Sequence, residues 1–181
     1  LLALLKEPRQ TLFFSATLPK EIAELAKKFL KDPITVRIES RATAENVEQN
    51  VINVRKKDQK VDILHDLLLK EDFQKVLIFC RTKRGAERLS KTLLESGFKS
   101  DSIHGDKSQS QRERALRRFE ENALQVLVAT DVAARGLDID DVTHVINFDV
   151  PETYEDYIHR IGRTGRGGKT GNALTFIEEE K

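Results

Sequence analysis

The sequence predicts an α/β fold in which a mostly parallel sheet is covered by helices on both faces. Short apolar runs alternate with segments whose apolar residues recur every three or four positions through residues 50–181, and such alternation is typical of βαβ units. Two of the runs, residues 76–80 and 126–129, are continuously apolar. Strands of that kind are expected where both faces of a parallel sheet are buried.

The first forty residues predict a separate, smaller piece of structure. Residues 11–15 indicate a short buried strand, and Pro19 suits the first position of a helix that ends before Asp32 and Pro33. Residues 34–38 are β-branched and alternating, which predicts a strand, whereas residues 39–49 are polar with few apolar anchors. We therefore expect residues 1–38 to belong to one domain, residues 39–49 to form a linker and residues 50–181 to form a second domain.

The sequence of the second domain predicts strands and helices that alternate along the chain. Strands are expected at residues 51–54, 76–80, 100–103, 126–129, 145–148 and 173–177. Helices are expected around Leu64, from Ala86 to a stop at Gly97, and after Ser108, which forms a capping-box pattern with Gln111. A further helix, capped by Thr153, leads into residues 159–166.

Composition narrows the class of protein. The chain has 181 residues, 39% hydrophobic and 34% charged, with a formal net charge of +1. No apolar run approaches the roughly 20 residues of a membrane span, and one cysteine, Cys80, permits no intramolecular disulfide framework. We expect a cytoplasmic protein without membrane contact, and any nucleic-acid binding to come from a local patch. The chain opens mid-helix without methionine, so we also expect it to be a fragment.

Polar side chains follow several predicted strands. In a parallel sheet the loops after these strands share one edge, where ligands bind. Hydroxyls, glycine amides and an arginine at a helix start hold sugar and phosphate oxygens without reading bases. Each residue alone is better explained as a cap, a turn or a surface charge, and their convergence on one edge is what favours a functional role. Candidates on these loops are Arg81, Thr82, Gly105, Arg112, Thr130 and Asp131.

The densest positive charge lies in the segment His159-Arg-Ile-Gly-Arg-Thr-Gly-Arg166. Arg163 and Arg166 would share one face if the preceding helix continued, and their guanidinium groups would then converge on a phosphate. A solvated basic loop explains the same charges equally well. Residues 167–170 read Gly-Gly-Lys-Thr but lack the first glycine of a P-loop and lead from a helix into a strand, so we expect no P-loop here.

The motifs together resemble those of DEAD-box RNA helicases, in order and spacing. The similarity lies in Ser15-Ala-Thr17, residues 76–83, Gln109 with Arg112, residues 129–138 and residues 159–166. It covers essentially the whole chain, and residues 81–83 and 103–108 are similar to the bacterial RhlE-like branch. The resemblance implies a RecA-like second domain, with the P-loop and the Mg²⁺ site on a first domain upstream.

The resemblance also implies roles for individual residues. Arg163 and Arg166 would act as catalytic contacts to the γ-phosphate of ATP, and Gly136 and Asp138 would meet the nucleotide. From the residues alone, Asp138 suits a ribose hydroxyl or an arginine equally. RNA-backbone contacts would come from Arg81, Thr82, Gly105, Arg112, Thr130 and Asp131, and coupling between domains from Ser15, Thr17, His159 and Arg160. No metal ligand is implied in this chain.

The implied function is ATP-dependent remodelling of short RNA duplexes or RNA–protein complexes, with this chain inactive alone. Two alternatives stay open: a DNA translocase of the same superfamily, and a non-catalytic RNA-binding module whose arginines form only a phosphate patch. A strand at residues 11–15 without its parent sheet would expose an apolar edge. We therefore expect residues 1–38 to be mobile or paired with a second copy of the chain.

Overall fold

The computed structural model describes residues 8–15, 20–36, 46–55, 59–135, 139 and 142–179. By their contacts the residues divide into two compact units, Leu1–Ser40 and Arg41–Lys181. No helix among the described residues is long and apolar enough to cross a membrane.

The first unit contains one helix, α1 (Lys20–Phe29), in its described part. The predicted helix is confirmed there, but the predicted strand at residues 11–15 is wrong, because these residues have no strand pairing and are exposed. Residues 34–36 likewise form no strand, and the rest of that predicted strand lies outside the described residues. A strand requires a neighbour to satisfy its backbone, and these segments have none among the described residues.

The second unit is built on a parallel sheet, and the predicted fold class is confirmed. In the described residues six strands stand in the order β1-β6-β5-β2-β4-β3, and all neighbours are parallel. The strands are β1 (Val47–Val54), β2 (Val76–Phe79), β3 (Ser100–Ile103), β4 (Val126–Ala129), β5 (His144–Asn147) and β6 (Gly171–Glu178). The helices are α2 (Gln59–Leu68), α3 (Lys83–Glu95), α4 (Gln109–Glu120), α5 (Asp131–Ala134) and α6 (Tyr154–Ile161).

The central strands are covered on both sides. Val76 and Ile78 join a core with residues of α2 and α3, whereas Leu77 and Phe79 join a second core with residues of α4 and α5. Successive side chains of a strand point to opposite faces, so a continuously apolar strand requires a helix layer on each face. The structure confirms this prediction for β2.

β1 starts earlier than its sequence indicates. It begins at Val47 and pairs with β6 from Gly171 onward, so the last three residues of the predicted linker belong to a strand. Val47 is buried against Ile161 and Ala173. The exposed polar residues that follow Val47 hide this strand from a search for apolar alternation. The division into domains at residues 38 and 50 stays a prediction.

Two helix ends agree with the predicted signals. Ser108 caps α4 and forms the capping box with Gln111. After α3, Gly97 adopts a φ of 92°, and the amide of Phe98 donates to the carbonyl of Leu93 at 3.0 Å. Glycine is favoured at such a helix end because a left-handed φ costs it little.

Candidate functional site

The loops after four parallel strands meet at the carboxyl edge of the sheet, as predicted. β2, β3, β4 and β5 are hydrogen-bonded neighbours running in one direction. Residues that follow these strand ends therefore share one edge of the sheet. They include Arg81, Thr82, Gly105, Thr130, Asp131 and Asp149.

The two threonines at this edge make different hydrogen bonds. Thr82 caps α3, and its hydroxyl accepts from the amide of Gly85 at 3.0 Å. Thr130 precedes α5 but makes no side-chain cap bond, although only 8% of its surface is exposed. The Thr130 hydroxyl is thus the better placed to bind an additional oxygen, whereas Thr82 also fulfils the capping role that the sequence allows.

Gly105 presents open backbone at the same edge. A side-chain carbon at this position would have no atom within 4 Å, so a ligand can approach the peptide closely. Arg81 lies nearby, exposed, with its amide donating to the Asp149 carboxylate at 2.9 Å. These two positions match the chemistry of a backbone-binding surface, and their role in RNA binding stays a prediction.

Arg112 lies in the first turn of α4 with part of its hydrogen-bonding capacity unused. Its guanidinium donates to the carbonyl of Ala133 at 3.2 Å and to the Gln109 side chain at 3.3 Å. Its Nε is buried and has no partner among the described residues. A buried donor without a partner costs free energy, so an incoming anion would stabilise this side chain.

Arg160 is the most enclosed charge of the described structure. Only 2% of its surface is exposed, and its guanidinium lies 5.1 Å from the centroid of the Phe79 ring. It binds the Asp131 carboxylate with two bonds of 2.7 and 2.8 Å. It also donates to the Asn147 side chain at 3.1 Å and to the Asp149 carbonyl at 2.7 Å.

This network changes the interpretation of two predicted residues. Arg160, expected to couple the domains, points into the second unit and ties α6 to the ends of β4 and β5. Asp131, expected beside RNA, has its carboxylate engaged by Arg160. A carboxylate also repels phosphate, and the ion pair removes much of that repulsion. Any direct contact of either side chain with RNA or another domain stays a prediction.

The arginine segment is a turn and not a helix. α6 ends at Ile161 with Gly162 as its C-cap, so the helix does not continue and the condition under which Arg163 and Arg166 would share a helical face is not met. After the helix end, the chain passes close to β1. Gly165 has a φ of 70°, and a side-chain carbon there would lie 2.8 Å from Val47.

Thr164 fixes the turn that carries Arg163 and Arg166. It is 1% exposed, and its hydroxyl donates to the carbonyl of Val142. Gly171 packs so closely that a side-chain carbon there would overlap Thr164 and the backbone of Gly165. The Nε of Arg166 donates to the carbonyl of Gly162 at 2.8 Å. The turn that carries both arginines is therefore rigidly supported.

Arg163 and His159 line a small cleft beside α5 and α6, together with Asp131 and Arg160. The Nδ1 atom of His159 is buried and has no partner among the described residues. Arg135 crosses the same region to bind Asp156 at 2.6 Å. The hydrogen bond from Thr153 and then the Arg135 charge lower the pKa of Asp156 below its usual value. The cleft thus holds charges of both signs in defined positions.

Three of the predicted site residues lie outside the part of the chain that the structure describes. Thr17, Gly136 and Asp138 lie outside the described residues, so the two interpretations of Asp138 remain open. Ser15 is described in the first unit and is exposed. The coupling and nucleotide roles of these residues stay predictions.

Sequence reasoning missed several supporting residues. Asn147 is fully buried and links Arg160 to Thr175, donating to the threonine hydroxyl at 3.0 Å. Its signal was an amide inside an apolar run, because a buried polar side chain needs partners. Thr164 and Gly171 carried no comparable signal, since only packing reveals them.

Cys80 has no chemical role in this site. Its side chain is buried, and burial raises the pKa of its thiol to about 12. The thiolate is the reactive form of cysteine, so this thiol is inert at neutral pH. No group of three or more His, Cys, Asp or Glu residues able to hold a metal occurs in the part of the chain that the structure describes.

Comparison with known families gives a consistent result. Residues 59–168 match the profile of the helicase conserved C-terminal domain. The DEAD-box ATP-dependent RNA helicase CshA of Geobacillus kaustophilus is 49% identical over 170 residues, which cover 93% of this chain and 36% of that protein. CshA of Bacillus subtilis is also 49% identical, over 169 residues covering 93% of this chain and 34% of that protein. The chain therefore spans about a third of these relatives.

Solved structures agree with these relatives. Saccharomyces cerevisiae Dbp5 bound to RNA and ADP BeF3 superposes with a TM-score of 0.78 at 32% identity, covering 97% of this chain and 47% of that chain. The E. coli DEAD-box protein SrmB, bound to regulator of ribonuclease activity A, gives a TM-score of 0.70 at 38% identity, covering 73% of this chain and 78% of that chain. These names do not test the narrower RhlE-like resemblance. The chain belongs to the DEAD-box family of helicases and contains its helicase conserved C-terminal domain.

Proposed function

We propose that this chain is the second RecA-like domain of an ATP-dependent RNA helicase. This domain binds RNA phosphates at the carboxyl edge of its sheet, and its Arg163 and Arg166 contact the γ-phosphate of ATP. The observation that carries the proposal is the cleft in which Arg163 lies beside His159, adjoining the strand ends that hold Asp131. A guanidinium group has the donor geometry that phosphate oxygens require. The CshA relatives are named ATP-dependent RNA helicases.

The phosphate-binding P-loop and the ligands of Mg²⁺ would lie on a first domain that faces this one. Each domain alone would then bind ATP and RNA weakly, and the closed pair would bind both well. Ligands that share a preference for one state favour each other's binding. Ser15, Thr17 and His159 would transmit closure, and Gly136 and Asp138 would contact the nucleotide. The structurally similar Dbp5 is bound to RNA and ADP BeF3 together, and this supports a protein that holds both ligands at once.

The RNA surface would consist of groups that contact phosphate and sugar. Thr130 and Gly105 offer a hydroxyl and open backbone, and Arg112 offers a buried Nε without a partner. Such contacts are indifferent to base sequence, whereas a 2′-hydroxyl distinguishes RNA from DNA. We expect cytoplasmic action on short duplexes or RNA–protein complexes. We also expect residues 1–38 to pair with a second copy of this chain when the rest of the first domain is absent.

The test is ATP turnover by the full-length protein with single-stranded RNA, single-stranded DNA or neither. Arg163→Ala and Arg166→Ala are expected to lower RNA-stimulated turnover by about 10³-fold or more while leaving RNA affinity nearly unchanged. Arg117→Ala, which removes an exposed arginine of α4, is the matched control and should retain full turnover.

Two results would contradict the proposal. Equal stimulation by DNA would favour a translocase. Absence of turnover in the wild type, together with loss of RNA affinity in the arginine variants, would favour a binding module, because the arginines would then serve RNA binding only.

A further inference from the structure

A second charged surface lies outside the site described above. One face of α3 and the loop between β3 and α4 enclose a groove of about 720 Å³, here called the α3 groove. Its lining includes five lysine or arginine side chains and three carboxylates. The size suits a ligand as large as one or two nucleotides, and none of the site roles assigned so far uses it.

Two arginines of the α3 groove, Arg84 and Arg88, are exposed and make no hydrogen bond or salt bridge with another described residue. They lie four residues apart, so they share a helix face at a separation of about 6 Å along the axis. Like charges so placed destabilise a helix, and an anion between them relieves the repulsion.

The central carboxylate of the groove is already satisfied. Glu87 accepts from the Ser102 hydroxyl at 2.7 Å and lies 3.1 Å from Nε2 of His104 and 3.5 Å from Nζ of Lys107. The Ser102 hydrogen bond is the main reason that the pKa of Glu87 falls to about 2. Glu87 therefore stays ionised but is surrounded by donors, and it opposes an incoming anion less than an isolated carboxylate would.

The lining does not favour base stacking. Among the described residues that form it, the sole ring is the imidazole of His104, which is 5% exposed. Base stacking needs an exposed aromatic surface. Guanidinium and ammonium groups without aromatic neighbours suit a phosphodiester backbone.

The groove is continuous with the carboxyl edge. Lys83 binds Asp106 across its mouth at 2.7 Å, and these residues directly follow Thr82 and Gly105. α3 starts at this edge, so the groove leads from the loops proposed to hold RNA down the flank of the domain.

We propose that the α3 groove binds the sugar–phosphate backbone of an RNA strand as it leaves the carboxyl edge, with Arg84 and Arg88 each contacting a phosphate. The inference rests on the proposed function, since it extends the same RNA path. Binding in the α3 groove requires an RNA strand long enough to reach from the carboxyl edge into the groove. A shorter strand that contacts only the carboxyl edge leaves the groove empty.

The test is fluorescence anisotropy of the full-length protein, the form used for ATP turnover, with labelled single-stranded RNA of about 6 and about 14 nucleotides. In Arg84→Gln/Arg88→Gln the affinity for the longer RNA should fall about tenfold. The dependence of its log affinity on log salt should lose a slope of about 1.4, which corresponds to two phosphates. Affinity for the shorter RNA should not change. The matched control Lys70→Gln/Lys99→Gln removes two exposed charges next to the amino ends of the strands and should bind both lengths normally.

A third variant separates failure of this inference from failure of the proposed function. Arg112→Ala should weaken the binding of both the shorter and the longer RNA. If it does so while Arg84→Gln/Arg88→Gln matches the control on the longer RNA, the groove does not bind RNA and the inference is overturned. If the full-length wild type binds neither length, the proposed function fails as well. Binding of a labelled poly-glutamate peptide that the double variant alone abolishes, with RNA affinity unchanged, would assign the groove to an acidic protein and also overturn the inference.

Discussion

Replacing Arg160 with alanine tests whether the buried guanidinium network holds the second unit together. The guanidinium makes four hydrogen bonds, two of them to the Asp131 carboxylate. Truncation leaves Asp131, the Asn147 side-chain oxygen and the Asp149 carbonyl without their donor. It also removes the contact with the face of Phe79.

The expected loss of stability follows from this count and from exposure. Breaking a buried ion pair by removing one partner costs about 3–5 kcal/mol. The Asp131 side chain is 28% exposed, so water partly replaces the lost donors and the lower end applies. We expect Arg160→Ala to lower the free energy of unfolding by about 3 kcal/mol, which corresponds to a fall in Tm of about 6–12 °C for a chain of this size.

Urea denaturation followed by circular dichroism measures the change. The control is Arg135→Ala, because Arg135 also binds a carboxylate, that of Asp156 at 2.6 Å, but its side chain is 61% exposed. Exposed pairs contribute about 0–1 kcal/mol. A double-mutant cycle with Asp131→Asn should show coupling of about 1–3 kcal/mol. Equal, small losses for Arg160→Ala and Arg135→Ala would refute the assigned importance of the network.

Two further predictions concern packing and pH. Gly171→Ala should lower the free energy of unfolding, measured in urea, by about 1–3 kcal/mol, because its new carbon overlaps Thr164. The control Gly105→Ala, whose new carbon meets open space, should leave the urea midpoint unchanged. Similar losses of stability in both variants would contradict the packing argument. Burial lowers the pKa of His144, so the unfolded chain binds its proton more readily and stability falls as pH drops below about 6.5. The urea midpoint of the wild type should therefore decrease from about pH 7.5 to about pH 5.5 more than that of His144→Gln, and identical decreases would assign the effect to other groups.

Most of the second unit could be predicted from the sequence because its strands and helices have strong local signals. The apolar run of β2, the capping box at Ser108 and the stop at Gly97 all appear where expected. The predicted strand at residues 11–15 is wrong, because a strand exists only with a partner. The sequence left open whether the helix continues to Arg166, and the close packing of Gly165 against Val47 is visible only in the folded structure.

The candidate site divides in the same way. The sequence determined which chemical groups follow the strands and predicted a parallel sheet that would gather them at one edge, since strand direction and loop position follow from the βαβ pattern. Only the tertiary structure decided that Arg160 turns inward to Asp131 and that Thr164 and Gly171 support the arginine turn. It also decided that Arg84 and Arg88 lie beside a groove without a hydrogen bond or salt bridge to another described residue. Those outcomes depend on distances between residues far apart in the chain, and periodicity along a sequence carries no information about such distances.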